Sequence, residues 1–94
     1  MAFRPAAESE VRDAALWYEA QRAGLGEDFV AEVRGVIDAI AARPARYPVA
    51  GGDVREAALV RFPYCVYYRV KPGRAVVVAV LHTSRDPAVW QSRA

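Results

Sequence analysis

The chain has one cysteine, one histidine, one methionine and one lysine in 94 residues, and these scarcities remove several kinds of protein at once. A single thiol, Cys65, closes no internal disulfide, and one cysteine with one histidine makes no metal-ligand cluster. No cofactor and no metal are therefore expected. Cys65 falls within a strand pattern, where a free cysteine serves as a small hydrophobe. The longest apolar run is bracketed by Arg74 and His82, well short of the ~20 residues that a membrane-spanning helix needs. Met1-Ala2-Phe3-Arg4-Pro5 leads straight into a charged amphipathic segment with no apolar export region. The expectation is a cytoplasmic protein without a membrane partner. Repeats and low-complexity tracts are missing, and Gly51-Gly52 alone does not make a phosphate cradle. Nor is there a Ser-His-Asp, paired-carboxylate or metal motif.

What is present is apolar and rich in arginine. Hydrophobic residues make up 54% of the chain, ample for one core in a single domain spanning residues 1–94. Twelve of the thirteen basic residues are Arg, whose planar fork suits phosphate or carboxylate. A GC-rich genome would bias composition the same way. The charge is unevenly placed: residues 1–43 hold five Arg against eight acids, −3, whereas residues 44–94 hold seven Arg and one Lys against three acids, +5. A basic sheet behind an acidic helical layer points to a polyanion or an acidic partner on the sheet side.

The densest strand signal runs from Val54 to Pro87. Tyr64, Val66, Tyr68 and Val70 alternate with Cys65, Tyr67 and Arg69, the period of a strand. Pro72-Gly73 supplies a turn, and Ala75 to Leu81 is wholly apolar and rich in β-branched valine. Such a run suits a strand with neighbours on both edges and little of either face exposed, so Val76 to Leu81 is the candidate central strand. Ahead of it, Val54 to Val60 reads as another strand with Arg55, Ala57 and Leu59 on one side.

The first half reads as two helices. Ala2 to Arg4 suits a short edge strand. Pro5 fits a first helical turn, and Glu8 and Glu10 complement the positive end of the dipole. Val11, Ala14, Ala15 and Tyr18 form one apolar stripe on a helix over about 6–22, with Trp17 at its margin in a packing role. After Gly24-Leu25-Gly26, Leu25, Phe29, Val33, Val36, Ile37 and Ile40 give the clearest helical period, over about 26–43. Pro44 ends it. Residues 44–53 form a loop by their Pro and Gly content. Asp86 and Pro87 open a short terminal helix, from which Trp90 packs back on the core. The predicted class is α+β: a β-α-α-β-β-β order with a short C-terminal helix, its αα-hairpin packed on a twisted antiparallel sheet.

Arg55, Arg61, Arg69, His82 and Arg85 are the residues from which a site on the outward side of the sheet would be built. Alternation alone does not place all five on one face. For each arginine alone a solvated surface charge is the default reading, and for His82 a strand-end histidine bonded to backbone. Together, a histidine among arginines suits general acid–base chemistry on an RNA 2′-hydroxyl, with the arginines stabilising phosphorane-like charge.

Trp17-Tyr18-Glu19-Ala20-Gln21, Gly24-Leu25-Gly26-Glu27-Asp28-Phe29, Pro44 with Tyr47-Pro48, Arg61-Phe62-Pro63-Tyr64, and His82-Thr83-Ser84-Arg85-Asp86-Pro87 with Trp90 and Arg93 resemble the RelE/ParE superfamily of type II toxins. The resemblance covers essentially the whole chain and keeps the motif order. It implies a small toxin encoded with a cognate antitoxin, whose C-terminal region would dock along the helical hairpin or add a strand to a sheet edge and contact the basic residues of the sheet. ParE-like members poison DNA gyrase by binding, and the WYEAQ, GLGEDF, RFPY and RDP pattern leans that way. In that case Arg55, Arg61, Arg69 and Arg85 are the residues for target binding. RelE-like members cleave messenger RNA on the ribosome; here Arg61, His82 and Arg85 would be catalytic. The lysine-rich strand typical of RelE and any tyrosine after Tyr68 are missing. A toxin-like scaffold that only binds its antitoxin is the third class.

Overall fold

A computed structural model describes residues 1–93 of the chain. The elements are β1 (Ala2–Phe3), α1 (Pro5–Gln21), α2 (Leu25–Ala42), β2 (Val49–Gly51), β3 (Val54–Ala58), β4 (Tyr64–Lys71), β5 (Arg74–His82) and α3 (Ala88–Gln91). The strands form one sheet in the order β1-β5-β4-β3-β2, with the α1–α2 hairpin on one face, so the class is α+β as the sequence implied. Both helices fall within a residue of their expected bounds.

Three features differ in detail. First, β1 joins β5 in parallel, Ala2 opposite Val76 and Phe3 opposite Val77, so the sheet is mixed rather than purely antiparallel. Arg4 N–H still reaches the Val77 carbonyl at 2.9 Å before Pro5 turns the chain into α1. Second, the 44–53 loop contains β2, which pairs antiparallel with β3 through Val49–Arg55 and Gly51–Val54. Gly52, at φ 57°, takes the positive dihedral that this tight turn requires. Third, β3 stops at Ala58, two residues early. The Val60 and Arg61 N–H groups are taken by the Glu32 carboxylate of α2, which draws the 59–63 connection off the sheet and onto the hairpin.

The apolar run sits where its composition requires. β5 has β1 on one edge and β4 on the other, and Ala75 to Leu81 are all buried. Two layers cover it. On the helical side Val66, Tyr68, Val77 and Val80 pack with Phe29, Val33 and Ile40 of α2 and Ala7 and Ala14 of α1. Leu25, Val36 and Ile37 complete the α2 stripe from half-buried positions against that cluster. On the outer side Val54, Cys65, Tyr67, Val78 and Leu81 pack under Trp90 of α3. The Trp90 ring stacks on Tyr67, with centroids 5.3 Å apart and planes 15° from parallel. Trp17 does not join the core: it is 60% exposed and touches only the edge of Tyr18 among the aromatic rings, because its helical phase carries it past the buried stripe.

A bulge in β5 ties the layers together. Tyr67 pairs with Ala79 but Tyr68 with Val77, leaving Val78 as the extra residue. The Val80 N–H donates to Glu10 Oε1 of α1 at 3.0 Å, and the Val78 carbonyl accepts from Arg93 Nη1 at 3.2 Å. Glu10 and Arg93 pair with each other at 2.9 Å. Backbone groups that the bulge and the short β1 leave without a strand partner are thus satisfied by side chains from both ends of the chain.

Two measurements check this packing. Phe29→Ala should cost about 3–5 kcal/mol in urea unfolding, as for other buried aromatics, and a loss below about 1 kcal/mol would mean that Phe29 is not a core residue. Burial pushes the Tyr67 phenol up from 10.0 to about 12. In the window between those values the unfolded chain holds fewer protons than the folded one, so folding stability should fall as pH rises. Tyr67→Phe should flatten that fall, and an equally steep profile in the variant would place the alkaline sensitivity elsewhere.

Candidate functional site

The five residues that the sequence offered for a site do not gather on one face. Arg55 lies opposite Tyr68 on the helical side, where its Nη1 donates to the Tyr47 carbonyl at 2.7 Å and the Ala45 carbonyl at 3.3 Å. Beside it the Tyr68 hydroxyl donates to the Pro44 carbonyl. Both pin the segment leaving α2 to the sheet, so Arg55 acts here as a clamp. Arg69 lies opposite Val54, on the outer face, and its guanidinium makes a bidentate pair with Asp53, Nη2 to Oδ2 at 2.7 Å and Nε to Oδ1 at 3.1 Å. That pairing holds the Asp53 carboxyl below its usual range, the hydrogen bond from Arg69 being the largest cause.

The other three lie at the opposite end of the sheet. Tyr64 opens β4 and is paired with His82, which closes β5; Arg69 lies five residues along β4 from Tyr64, about 17 Å at the rise of a strand. The His82 ring meets Tyr64 edge-on at 5.3 Å. Tyr64 continues into a cluster of rings made by Tyr18, Phe29 and Phe62. Its phenol is raised by burial, against which the positive charge of Arg85 acts, so Arg85, exposed on the 83–87 turn, belongs to the same corner. Arg61 stands on the neighbouring connection and points back at α2, its Nη2 3.4 Å from Asp28 Oδ2 with both side chains about half exposed. An exposed pair of this kind is weak and leaves Arg61 able to exchange partners.

His82 is held by its own turn. Nδ1 accepts the Ser84 N–H at 3.0 Å, and the Ser84 hydroxyl lies 2.8 Å from the same nitrogen. A ring nitrogen that accepts a backbone N–H carries no proton, so the neutral ring presents Nε2–H, a donor. General-base work at Nε2 would require the other tautomer and the loss of the backbone bond.

The corner therefore brings together His82, Arg85 and Tyr64, with Arg61 beside them, and separates Arg55 and Arg69. Alternation gave Tyr64 and His82 their strands, but their facing depends on a β4–β5 register that a bulge shifts. Asp28 and Glu32, which hold the 60–61 backbone and the Arg61 side chain, escaped sequence reading: they are one helical turn apart on α2, and their partners are about thirty residues away. Cys65 is buried and its thiol is pushed up by that burial, which makes it unreactive. No cluster of possible metal ligands occurs among the described residues, and none of their helices is long and apolar enough to cross a membrane.

Fold and site together define a small α+β protein with a helical hairpin on a five-stranded sheet and an arginine- and aromatic-lined corner at one sheet end. Residues 1–87 match the family described as ParE toxin of type II toxin-antitoxin system, parDE, and the chain belongs to that family. It is the toxin component of a type II toxin–antitoxin module, a class that acts beside a cognate antitoxin. No curated protein sequence matches the chain significantly.

Proposed function

We propose that this toxin acts by binding DNA gyrase, with Arg61 and Arg85 as target contacts, and that its antitoxin neutralises it by shielding the same basic surface. One observation carries this reading: of Arg61, His82 and Arg85, which an RNA-cleaving site would use, the histidine has its Nδ1 engaged by the Ser84 N–H and Arg61 leans on Asp28. Arg55, bonded to the 44–47 backbone, and Arg69, on the other face with Asp53, lie outside the corner. Transition-state stabilisation requires several donors aimed at one developing charge. A binding surface requires only complementary shape and charge, which the exposed Arg85 and half-exposed Arg61 beside an aromatic cluster provide.

A purified preparation should inhibit supercoiling by gyrase and leave message intact in a translation reaction. Inhibition by His82→Ala should stay within about threefold of the parent, whereas Arg85→Glu should weaken it by about tenfold or more, as for a charge contact reversed at an interface. Message cleavage that disappears in His82→Ala would move the reading to a ribosome-dependent nuclease. Neither activity, with antitoxin binding retained, would leave an antitoxin-binding scaffold.

A further inference from the structure

The connection between β3 and β4 holds one valine out in water. Val60 is 94% exposed, while Leu59 and Phe62 on either side of the tip are buried in the cluster that the hairpin covers. A lone apolar side chain at a surface is ordinary. Those of Leu16, Trp17 and Val49, the other large ones more than half exposed among the described residues, lie on α1 or β2, where the period of the element places them. Val60 follows no such period, and its position is set by the bonds of the turn.

Those bonds come from three sides. The Leu59 N–H donates to the Tyr64 carbonyl at 2.9 Å and closes the turn, and the Tyr64 N–H returns to the Phe62 carbonyl at 2.8 Å. From α2, the Glu32 carboxylate takes the N–H groups of both Val60 and Arg61. From the far side of the corner, the Thr83 N–H donates to the Pro63 carbonyl at 2.8 Å. The Arg61 guanidinium lies over the Phe62 ring, 5.5 Å from its centroid, and reaches Asp28. A β-branched side chain has few rotamers to lose, and on a turn fixed in this way it can be buried against a partner at small cost in entropy.

The charges around the tip decide what kind of partner it fits. Glu32 and Asp28 place two carboxylates at its base, which a nucleic-acid backbone would meet as like charge. A protein surface with an apolar pocket and an acid at the pocket's rim fits both halves of the tip: Val60 enters the pocket, and Arg61 exchanges its weak exposed pair with Asp28 for the rim carboxylate. We propose that Val60 is the apolar anchor by which this toxin engages such a pocket on its target protein. The inference rests on the reading of the Tyr64–His82 corner as the target face and adds an apolar contact to the two arginines assigned there. It does not depend on gyrase being the protein that supplies the pocket.

Two readouts on the full chain test it: inhibition of gyrase supercoiling by purified protein, and growth arrest on induction without antitoxin at matched protein levels. Val60→Asp should weaken both by about tenfold or more, because it carries an unpaired carboxylate into an apolar pocket. Its melting temperature should stay within about 3 °C of the parent, as for a surface substitution. Val70→Asp, at a 46% exposed valine near the other end of β4, should keep both within about threefold and so exclude a general effect of added negative charge. A Val60→Asp chain as inhibitory and as toxic as the parent would overturn the inference and leave the gyrase reading standing, and so would a Val70→Asp chain that loses as much as Val60→Asp. A parent that arrests growth without inhibiting gyrase would end the gyrase reading alone; growth arrest then decides, its loss in Val60→Asp supporting the anchor and its retention overturning it.

Discussion

The rest of the architecture depends on one constraint, the need to keep seven consecutive residues of β5, Ala75 to Leu81, away from water on both faces. A strand with polar residues on alternate positions needs one covered face; this one needs two. The helical hairpin supplies the first cover through Phe29, Val33 and Ile40. The second comes from Trp90, which a four-residue helix brings back over Tyr67. Neither cover closes the strand's edge beyond β1, and there Glu10 and Arg93 bond the bulged backbone and each other. These ions are mostly withdrawn from solvent, a cost that their backbone bonds and mutual attraction offset. The first turns of α1 and the C-terminal segment are therefore parts of the same device, although 83 positions separate the two side chains.

Arginine in this chain does two kinds of work, and the split bears on function. Arg55, Arg69 and Arg93 use the planar fork internally, against backbone carbonyls or carboxylates. Arg61 and Arg85 stay at the surface beside the aromatic corner. The +5 of the second half already counts Asp53 against Arg69, and of the arginines used internally only Arg93, paired with Glu10 of α1, draws on the acids of the first half. The positive charge is divided between the two ends of the sheet, with Arg61 and Arg85 at the Tyr64–His82 corner and Lys71 opposite Arg74 at the β4–β5 turn.

Much of this was legible in the sequence, for physical reasons that also mark where legibility stopped. The α2 stripe from Leu25 to Ile40 and the β4 alternation from Tyr64 to Val70 are local periodicities set by burial, and both appear as read. The direction of β1 and the existence of β2 were not readable, since two- and three-residue strands carry no period. Trp17 was misplaced because its helical phase sets it at the margin of the stripe, and whether that margin is covered depends on packing that no local pattern records. For the site, His82 and Arg85 were found by residue type, whereas the removal of Arg55 and Arg69 followed from register and from partners that lie 8 to 16 positions away. Long-range pairs such as Glu32 with the 60–61 backbone leave no local trace at all.

The proposal that this toxin binds gyrase through the corner between β4 and β5 is tested most directly by hydrogen exchange on the toxin mixed with gyrase. Slowed exchange should be confined to the 60–64 and 82–86 segments, with the Asp53–Arg69 end of the sheet exchanging as in the free protein. Protection centred on that far end, with the corner unchanged, would contradict the account.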